Sequence, residues 1–384
     1  MDVRIAQLAK SIGITRLANV TGLDRVGLPV VAAVRPLSRN IAVSFGKGDS
    51  YENACLSAVM EASELHFSES YKFPTVHAPY LELGSRVALN PLQLVLPSSP
   101  EDVLLRKFNW VSGFNLKSGK PVLVPWEIIS MDYSMEARQE ERILVFGPTG
   151  LAAAFDETRA ILHGLYEVVE RDCHASWNAI SDADRQATLV DLHANDAVDI
   201  ANFLDVLKSA HLEVLLWDMT GERGIPCYLA EIFDLETFTH TKYAHGAAAD
   251  MSPHRAIYRA LCEAAQIRLT YISGSRDDLD RSDYGSRYDE IVANRKWVLE
   301  NLTPSRNVPR WMEDEGCVNS KLDAVCDVLQ KSGSDDVIVV RLTAEDDDVA
   351  VVKIVVPSLK DVHDFEIHSA TEDVFEDVFE DVFA

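Results

Sequence analysis

An α+β fold, with mixed β-sheets flanked by long helices, is what this sequence predicts, and three observations predict it. Short β-prone runs such as LPVVAAVRP, HLEVLLWDM and VAVVKIVVP alternate irregularly with helical stretches, without a repeating βαβ unit. Three stretches of roughly twenty residues each show helical periodicity and hold almost no Gly or Pro. At 47% hydrophobic and 25% charged residues, the composition is that of a globular protein with a large core.

Taken in order, LPVVAAVRP and NIAVSF read as strands separated by turns rich in Gly and Pro. The first long helix follows from Asp49 to about Ser70, with Asp49 or Ser50 as N-cap. Between 71 and 150 the short apolar runs LQLVLP, PVLVPWEIIS and RILVFGP suggest strands with long connections. Pro148-Thr149-Gly150 then opens the second long helix, roughly Phe155 to Ile180. HLEVLLWDM and PCYLAEIF read as strands, and the third helix runs from about Ser252 to Ser273, with Pro253 suited to a first helical turn. The charged region 275–335 reads as exposed helix, with KLDAVCDVLQKSG stopping at a Gly. DDVIVVRL and VAVVKIVVP read as closing strands. One domain is expected over 1–360, and 361–384 is an acidic tail whose EDVF unit occurs three times; a solvated end is the favoured reading of it.

With 36 Lys and Arg against 61 Asp and Glu, the formal charge is −25. Affinity for phosphate backbones needs a basic surface, so a nucleic-acid partner is not expected. No run approaches the about 18 apolar residues of a membrane span, and the first residues lack a signal-peptide profile, so a cytoplasmic protein is expected. The six cysteines contain no CxxC pair and read as reduced thiols, not as a disulfide frame or zinc site.

The helices carry the chemistry. On the first, Ser57, Glu61 and Glu64 are four and three residues apart and share a face. On the second, His163, Glu167, Glu170 and His174 form one polar stripe opposite Ile161, Leu162, Leu165, Val168 and Val169. On the third, Arg255, Arg259, Glu263 and Gln266 do the same. A polar helix face simply meets water in most proteins. Two Glu-x-x-Glu pairs together suggest several hard cations with a polyphosphate between them, because Mg²⁺ takes one or two carboxylates plus phosphate oxygens. Arg and Gln on the third helix suit those oxygens. Ser44-Phe45-Gly46-Lys47-Gly48, between a strand and the first helix, offers backbone N–H groups and one cation to an anion, although it is not a Walker A loop. His163 and His174 can assist proton transfer but read first as neighbours of the glutamates.

At these residues the sequence resembles the YcaO family. SFGKGDSYENACLSAVMEASE, GLAAAFDETRAILHGLYEVVERD and HRAIYRALCEAAQIRLTYISGSRDD look like its three signature blocks, and GITRLANVTGLDRVGLPV like its opening. The resemblance covers about residues 13–280, with an echo in VAVVKIVVPSLK. It implies a fold with an ATP and Mg²⁺ site between the motif helices, and ATP-dependent activation of a peptide-backbone amide: a nucleophile adds to the carbonyl, ATP phosphorylates the oxyanion, and phosphate leaves. Carried over by position, Glu61, Glu64, Glu167 and Glu170 would hold Mg²⁺. Ser44, Lys47, Ser57, Arg171, Gln266 and Arg268 would contact the nucleotide, with Arg16 a further phosphate contact. No residue is assigned as catalytic in its own right. Leu65 follows Glu64 where relatives have Arg, and Thr149-Gly150 stands where Asn-Gly is common.

The Pro-x-Pro-x-Pro ending of azoline-forming relatives is missing, and VVPSLK is similar to the VPGLE-type ending of relatives that work with a TfuA partner, with Ser358 where Gly is usual. The leading expectation is thioamide formation in a ribosomally synthesised precursor peptide or protein, with a TfuA-like or other leader-binding partner and an external sulfur donor. The alternatives are a cyclodehydratase making azolines from Cys, Ser or Thr, and a nucleotide-binding partner protein without turnover. The resemblance also implies a homodimer.

Overall fold

The computed structural model describes residues 2–360 apart from 72–75, 85–86, 96–101, 135–142, 145, 193–196, 236–242, 280–283, 285–286 and 311–315. The tail at 361–384, with its acidic repeat, lies outside the described residues. Helix α1 (Val3–Ser11) leads into β1 (Arg16–Asn19), β2 (Val30–Val34) and β3 (Val43–Lys47), a three-stranded antiparallel sheet in that order. Helix α2 (Tyr51–Ser70) follows directly, capped by Ser50, whose hydroxyl accepts from Asn53 N at 3.2 Å. Next come β4 (Val76–Pro79), α3 (Tyr80–Leu83), β5 (Lys107–Asn115), β6 (Pro121–Pro125), β7 (Leu151–Ala154) and α4 (Glu157–Asn178). After α5 (Asp182–Gln186), β8 (Val190–Asp191) and α6 (Val198–Ser209), a second antiparallel sheet forms from β9 (Glu213–Asp218), β10 (Cys227–Phe233) and β11 (Tyr243–Ala249). Then come α7 (Pro253–Ser273), with Pro253 in its first turn, α8 (Arg287–Asn301), β12 (Arg306–Asn307), α9 (Val318–Lys331), β13 (Ile338–Arg341) and β14 (Ala350–Val355). A six-stranded sheet runs β4-β5-β13-β14-β7, with β6 also paired to β5.

The α+β class expected from the sequence is what forms. Pairing within the three large sheets is antiparallel, and the parallel ladder described is β8 with β12. Three cores join these sheets in a ring. Along β2, Val31 and Ala33 face a core shared with α2 and the six-stranded sheet, while Val30 and Ala32 face a second core shared with α7 and the β9–β11 sheet. The third core closes the ring: α4 packs between Leu215, Trp217 and Leu229 on one side and Val339, Val352 and Ile354 on the other. Strands buried on both faces need apolar side chains at successive positions, which is why VIVV and VAVVKIVV are continuous runs and not alternating ones.

Small residues let the helices approach. A Cβ on Gly46 would lie 1.9 Å from Ala58 N of α2, and one on Gly246 of β11 would lie 2.3 Å from Ala264 N of α7. In both cases only hydrogen at that position leaves room for the helix backbone.

Several expectations differ from the structure. Pro148-Thr149-Gly150 opens β7, and α4 starts only after it, capped by Asp156. LQLVLP gives a 3₁₀ turn at Pro91–Gln93 and one bridge, Val95 to Leu144; that bridge is also the β-pairing described in RILVFGP. In RILVFGP, Ile143 and Leu144 are buried in the first core, so these apolar residues fill space instead of extending a sheet. Of the strands present, β1, β4, β5, β7, β8, β11 and β12 were not expected.

Candidate active site

The ring brings the three motif helices together with the open edges of two sheets. Strand β3 ends its sheet and β7 ends the six-stranded one. Edge strands carry unpaired backbone N–H groups, and here the glutamates take them. Glu61 accepts from Phe45 N at 3.4 Å, Glu64 from Ala153 N of β7 at 2.9 Å, and Glu167 from Gly150 N at 3.3 Å. Each bond fixes a carboxylate without cancelling its charge.

The surrounding cations are shared among several partners. Arg171 stands 3.9 Å from Glu167 and 3.8 Å from Glu170, and Lys47 pairs with Glu263 of α7. Arg259 donates to His163 Nδ1 at 3.3 Å and is steadied 3.7 Å from Asp250, which is buried. Arg276 also acts on Glu61, and Lys353 of β14 on Glu167.

Burial dominates the electrostatics. It raises Glu61 and Glu170 above the ordinary carboxylate value, against the pull of Lys47 on the first and of Arg171 on the second. Glu64 is pushed well above it, first by burial and then by Glu167 and Glu61. Glu167 rises to about 7 through burial, which Arg171 opposes. Lys47 falls to about 8 by burial and the neighbouring Arg259, and His163 to about 3 by burial followed by Arg259 and Lys47. Buried carboxylates held together, all raised above their ordinary value, are a site short of positive charge.

The donor set fits Mg²⁺. All four glutamates offer hard oxygen, and among the described residues no three His, Cys, Asp or Glu side chains converge into a ready cage. An open array of this kind suits an ion that keeps waters and takes phosphate oxygens for the rest. Glu61, Glu64, Glu167 and Glu170 would hold the metal.

The other expected residues are distributed unevenly. Ser44 is buried on β3 beside Phe45, Ser57 lies one helical turn before Glu61, and Gln266 is buried just beyond Glu263. Arg268 is 3% exposed and forms an ion pair with Asp24 at 2.9 Å, so its charge is already answered. Arg16 is exposed at the start of β1, two strands away from β3. Sequence reasoning offered the arginines of the third helix, Arg255 and Arg259, to phosphate oxygens, and did not assign Glu263, Asp250, Arg276 or Lys353 to the site. Arg259 and Glu263 were visible in the α7 stripe, and Lys353 as a lone cation inside VVKIVV, where it is buried and donates to Gly147 O. Nothing local marked Asp250 or Arg276.

Comparison with known proteins agrees with this geometry. The family model described as YcaO cyclodehydratase, ATP- and Mg²⁺-binding, matches residues 45–360. A protein from the region 3′ of tfuA in Rhizobium leguminosarum bv. trifolii is 32% identical over 361 residues, covering 91% of this chain and 84% of that one. A Methanothermobacter thermautotrophicus protein is also 32% identical, covering 91% and 90%. In fold, the chain matches YcaO from Methanopyrus kandleri bound with AMPPCP and Mg²⁺ at a TM-score of 0.72 and 21% identity, covering 96% of this chain and 91% of that one. A heterocyclase in complex with substrate and cofactor matches at 0.74 and 19% identity; the match covers 93% of this chain but 52% of that one. The chain therefore belongs to the YcaO family, with ATP and Mg²⁺ as its cofactors.

Proposed function

We propose that the protein uses ATP to activate a backbone amide of a ribosomally synthesised peptide or protein and, with a TfuA-like partner, exchanges the carbonyl oxygen for sulfur. The observation that carries the ATP-dependent part is the array of four glutamates, three of them fixed by backbone N–H groups, facing Lys47, Arg171 and Arg259. Bound ATP and Mg²⁺ supply the phosphoryl group and the neutralising charge. The chain's own residues position: Glu61, Glu64, Glu167 and Glu170 hold the metal, and Ser44, Lys47, Ser57, Arg171 and Gln266 orient the polyphosphate. Phosphoryl transfer depends mainly on such positioning and charge neutralisation.

The choice of a thioamide is supported by the R. leguminosarum relative from the tfuA region and by the VVPSLK segment. That segment folds back on α4, where Lys360 N donates to Asp172 at 3.0 Å, next to Arg171 in sequence. The second reading, azoline formation, is favoured by the family description as a cyclodehydratase and by fold similarity to the E. coli microcin synthetase McbBCD complex, TM-score 0.65. Of the described helices, none is long and apolar enough to cross a membrane.

Intact mass spectrometry decides between these readings. A candidate precursor peptide is incubated with the protein, ATP, Mg²⁺, sulfide and any TfuA-like neighbour. Thioamidation adds the mass difference between sulfur and oxygen, and azoline formation removes one water. ATP binding with no mass change and no peptide-dependent ADP would identify a partner protein without turnover.

A further inference from the structure

Beyond Glu170 the polar stripe of α4 continues to His174, and there the surroundings change from charged to aromatic. The His174 ring packs edge-on against His245 of β11, 6.3 Å between centroids, and lies 6.5 Å from Trp177. Trp177 rests in turn on Trp217 at 5.9 Å, and His245 on Tyr243 at 5.7 Å. These walls are firmly held. Glu231, fully buried, accepts from Trp217 Nε1 at 2.6 Å, Tyr243 Oη at 2.5 Å and Arg295 Nη2 at 2.6 Å, and Trp177 Nε1 donates to Thr188 Oγ1 at 3.0 Å. Within this cluster His174 Nδ1 is buried and has no hydrogen-bond partner among the described residues. An unsatisfied buried polar atom is costly and calls for an occupant.

Burial, with His245 and then Arg171 nearby, lowers His174 to about 4, so at neutral pH the imidazole is uncharged. An uncharged ring between aromatic walls suits a neutral polar group and not an anion. Four residues separate His174 from Glu170, about 6 Å along the helix axis, so the cluster adjoins the glutamates.

We propose that the aromatic cluster around His174 and His245 receives the backbone amide to be activated, with His174 Nδ1 hydrogen-bonded to that amide and Trp177 and Tyr243 beside it. This rests on the amide-activating reading above and names where its acceptor binds. His174 accepts from the peptide N–H or donates to its carbonyl according to its tautomer, and no proton is removed from the ligand in this role.

The test uses the full chain and two separate titrations. The first follows the imidazole nitrogen resonances of ¹⁵N-histidine-labelled protein as N-acetyl-glycylglycinamide, an uncharged backbone mimic, is added; His174 is assigned by its loss in His174→Gln. The second measures Mg·AMPPCP affinity by calorimetry. The Nδ1 resonance is expected to move with the blocked diglycine and to ignore inorganic phosphate. His174→Phe is expected to weaken diglycine binding by about ten-fold, the worth of one hydrogen bond to a neutral group, while Mg·AMPPCP affinity is retained; His174→Asn restores part of the loss. A resonance that diglycine leaves unmoved, or that phosphate moves instead, overturns the proposal, as does equal weakening of both ligands in His174→Phe. If diglycine shifts His174 but Mg·AMPPCP does not bind, the amide site stands and the ATP-dependent reading falls.

Discussion

At Glu167 the protein accepts a poor environment for a carboxylate. Its value of about 7 means that the metal-free site binds a proton where the unfolded chain, near 4.5, has already released it. The native state therefore holds more protons between these limits, so the contribution of Glu167 to stability is fully present below pH 4.5 and is lost as pH rises toward 7. Mg²⁺ reverses the sign, because it needs the ionised form. Mg·AMPPCP affinity is expected to rise with pH through this range, with protons released on binding, as calorimetry in buffers of different ionisation enthalpy would show. Glu61→Gln and Glu167→Gln should each lower that affinity at least about ten-fold, by analogy with perturbed metal sites, and abolish peptide-dependent ADP release; unchanged ADP release would remove these residues from the metal site. The four glutamates were legible because i and i+3 spacing puts like charges on one helix face. The ion pair of Arg268 was not legible for the complementary reason: its partner Asp24 is far away in sequence, and spacing along one helix cannot report a pair formed across the fold.

The elements that build the site divide into those with a loud sequence signal and those with none. α2 announced itself by period and cap, α4 by period, and α7 by period and the Pro in its first turn. Strands β7 and β11 did not, since LAAA and YAHGAAA are made of residues with low β-propensity. Smallness is their function: helices must approach them closely enough to hand a carboxylate to a strand edge or to seat a side chain beside it. Gly46→Ala and Gly246→Ala should therefore destabilise by about 1–3 kcal/mol each, the usual range for overpacking. Urea denaturation gives that loss, and Mg·AMPPCP titration of Gly46→Ala should show weaker binding as α2 is displaced from β3. A second element-level test concerns the end of α2, where Glu69 is buried against Arg35, with Ser38 Oγ and Arg39 N also donating to it. Arg35→Ala leaves that carboxylate unpaired and should lower stability by about 3–5 kcal/mol, whereas Arg35 and Glu69 replaced together should lose less.

Over the whole molecule, three cores arranged in a ring mean that no motif helix belongs to one sheet alone. α2 joins the first sheet to the six-stranded one, α7 the first to the β9–β11 sheet, and α4 the latter two. Mg·ATP held as proposed by all three helices would stabilise all three cores, and saturation at about 100 times its dissociation constant should add about 2.7 kcal/mol, read as a concentration-dependent rise in Tm. The ring itself was not legible from the sequence. Its evidence is the splitting of β2, β13 and β14 between cores, and a continuous apolar run shows that both faces are buried without showing against what.

The inward edges of β3 and β7 have one more consequence. A free strand edge is a template on which another chain can pair and start an aggregate. By turning these edges into the crevice and covering their N–H groups with carboxyl groups, the fold hides two such templates from other molecules. Mutations that empty the crevice of its glutamates would thus be expected to raise the tendency to aggregate as well as to silence the enzyme.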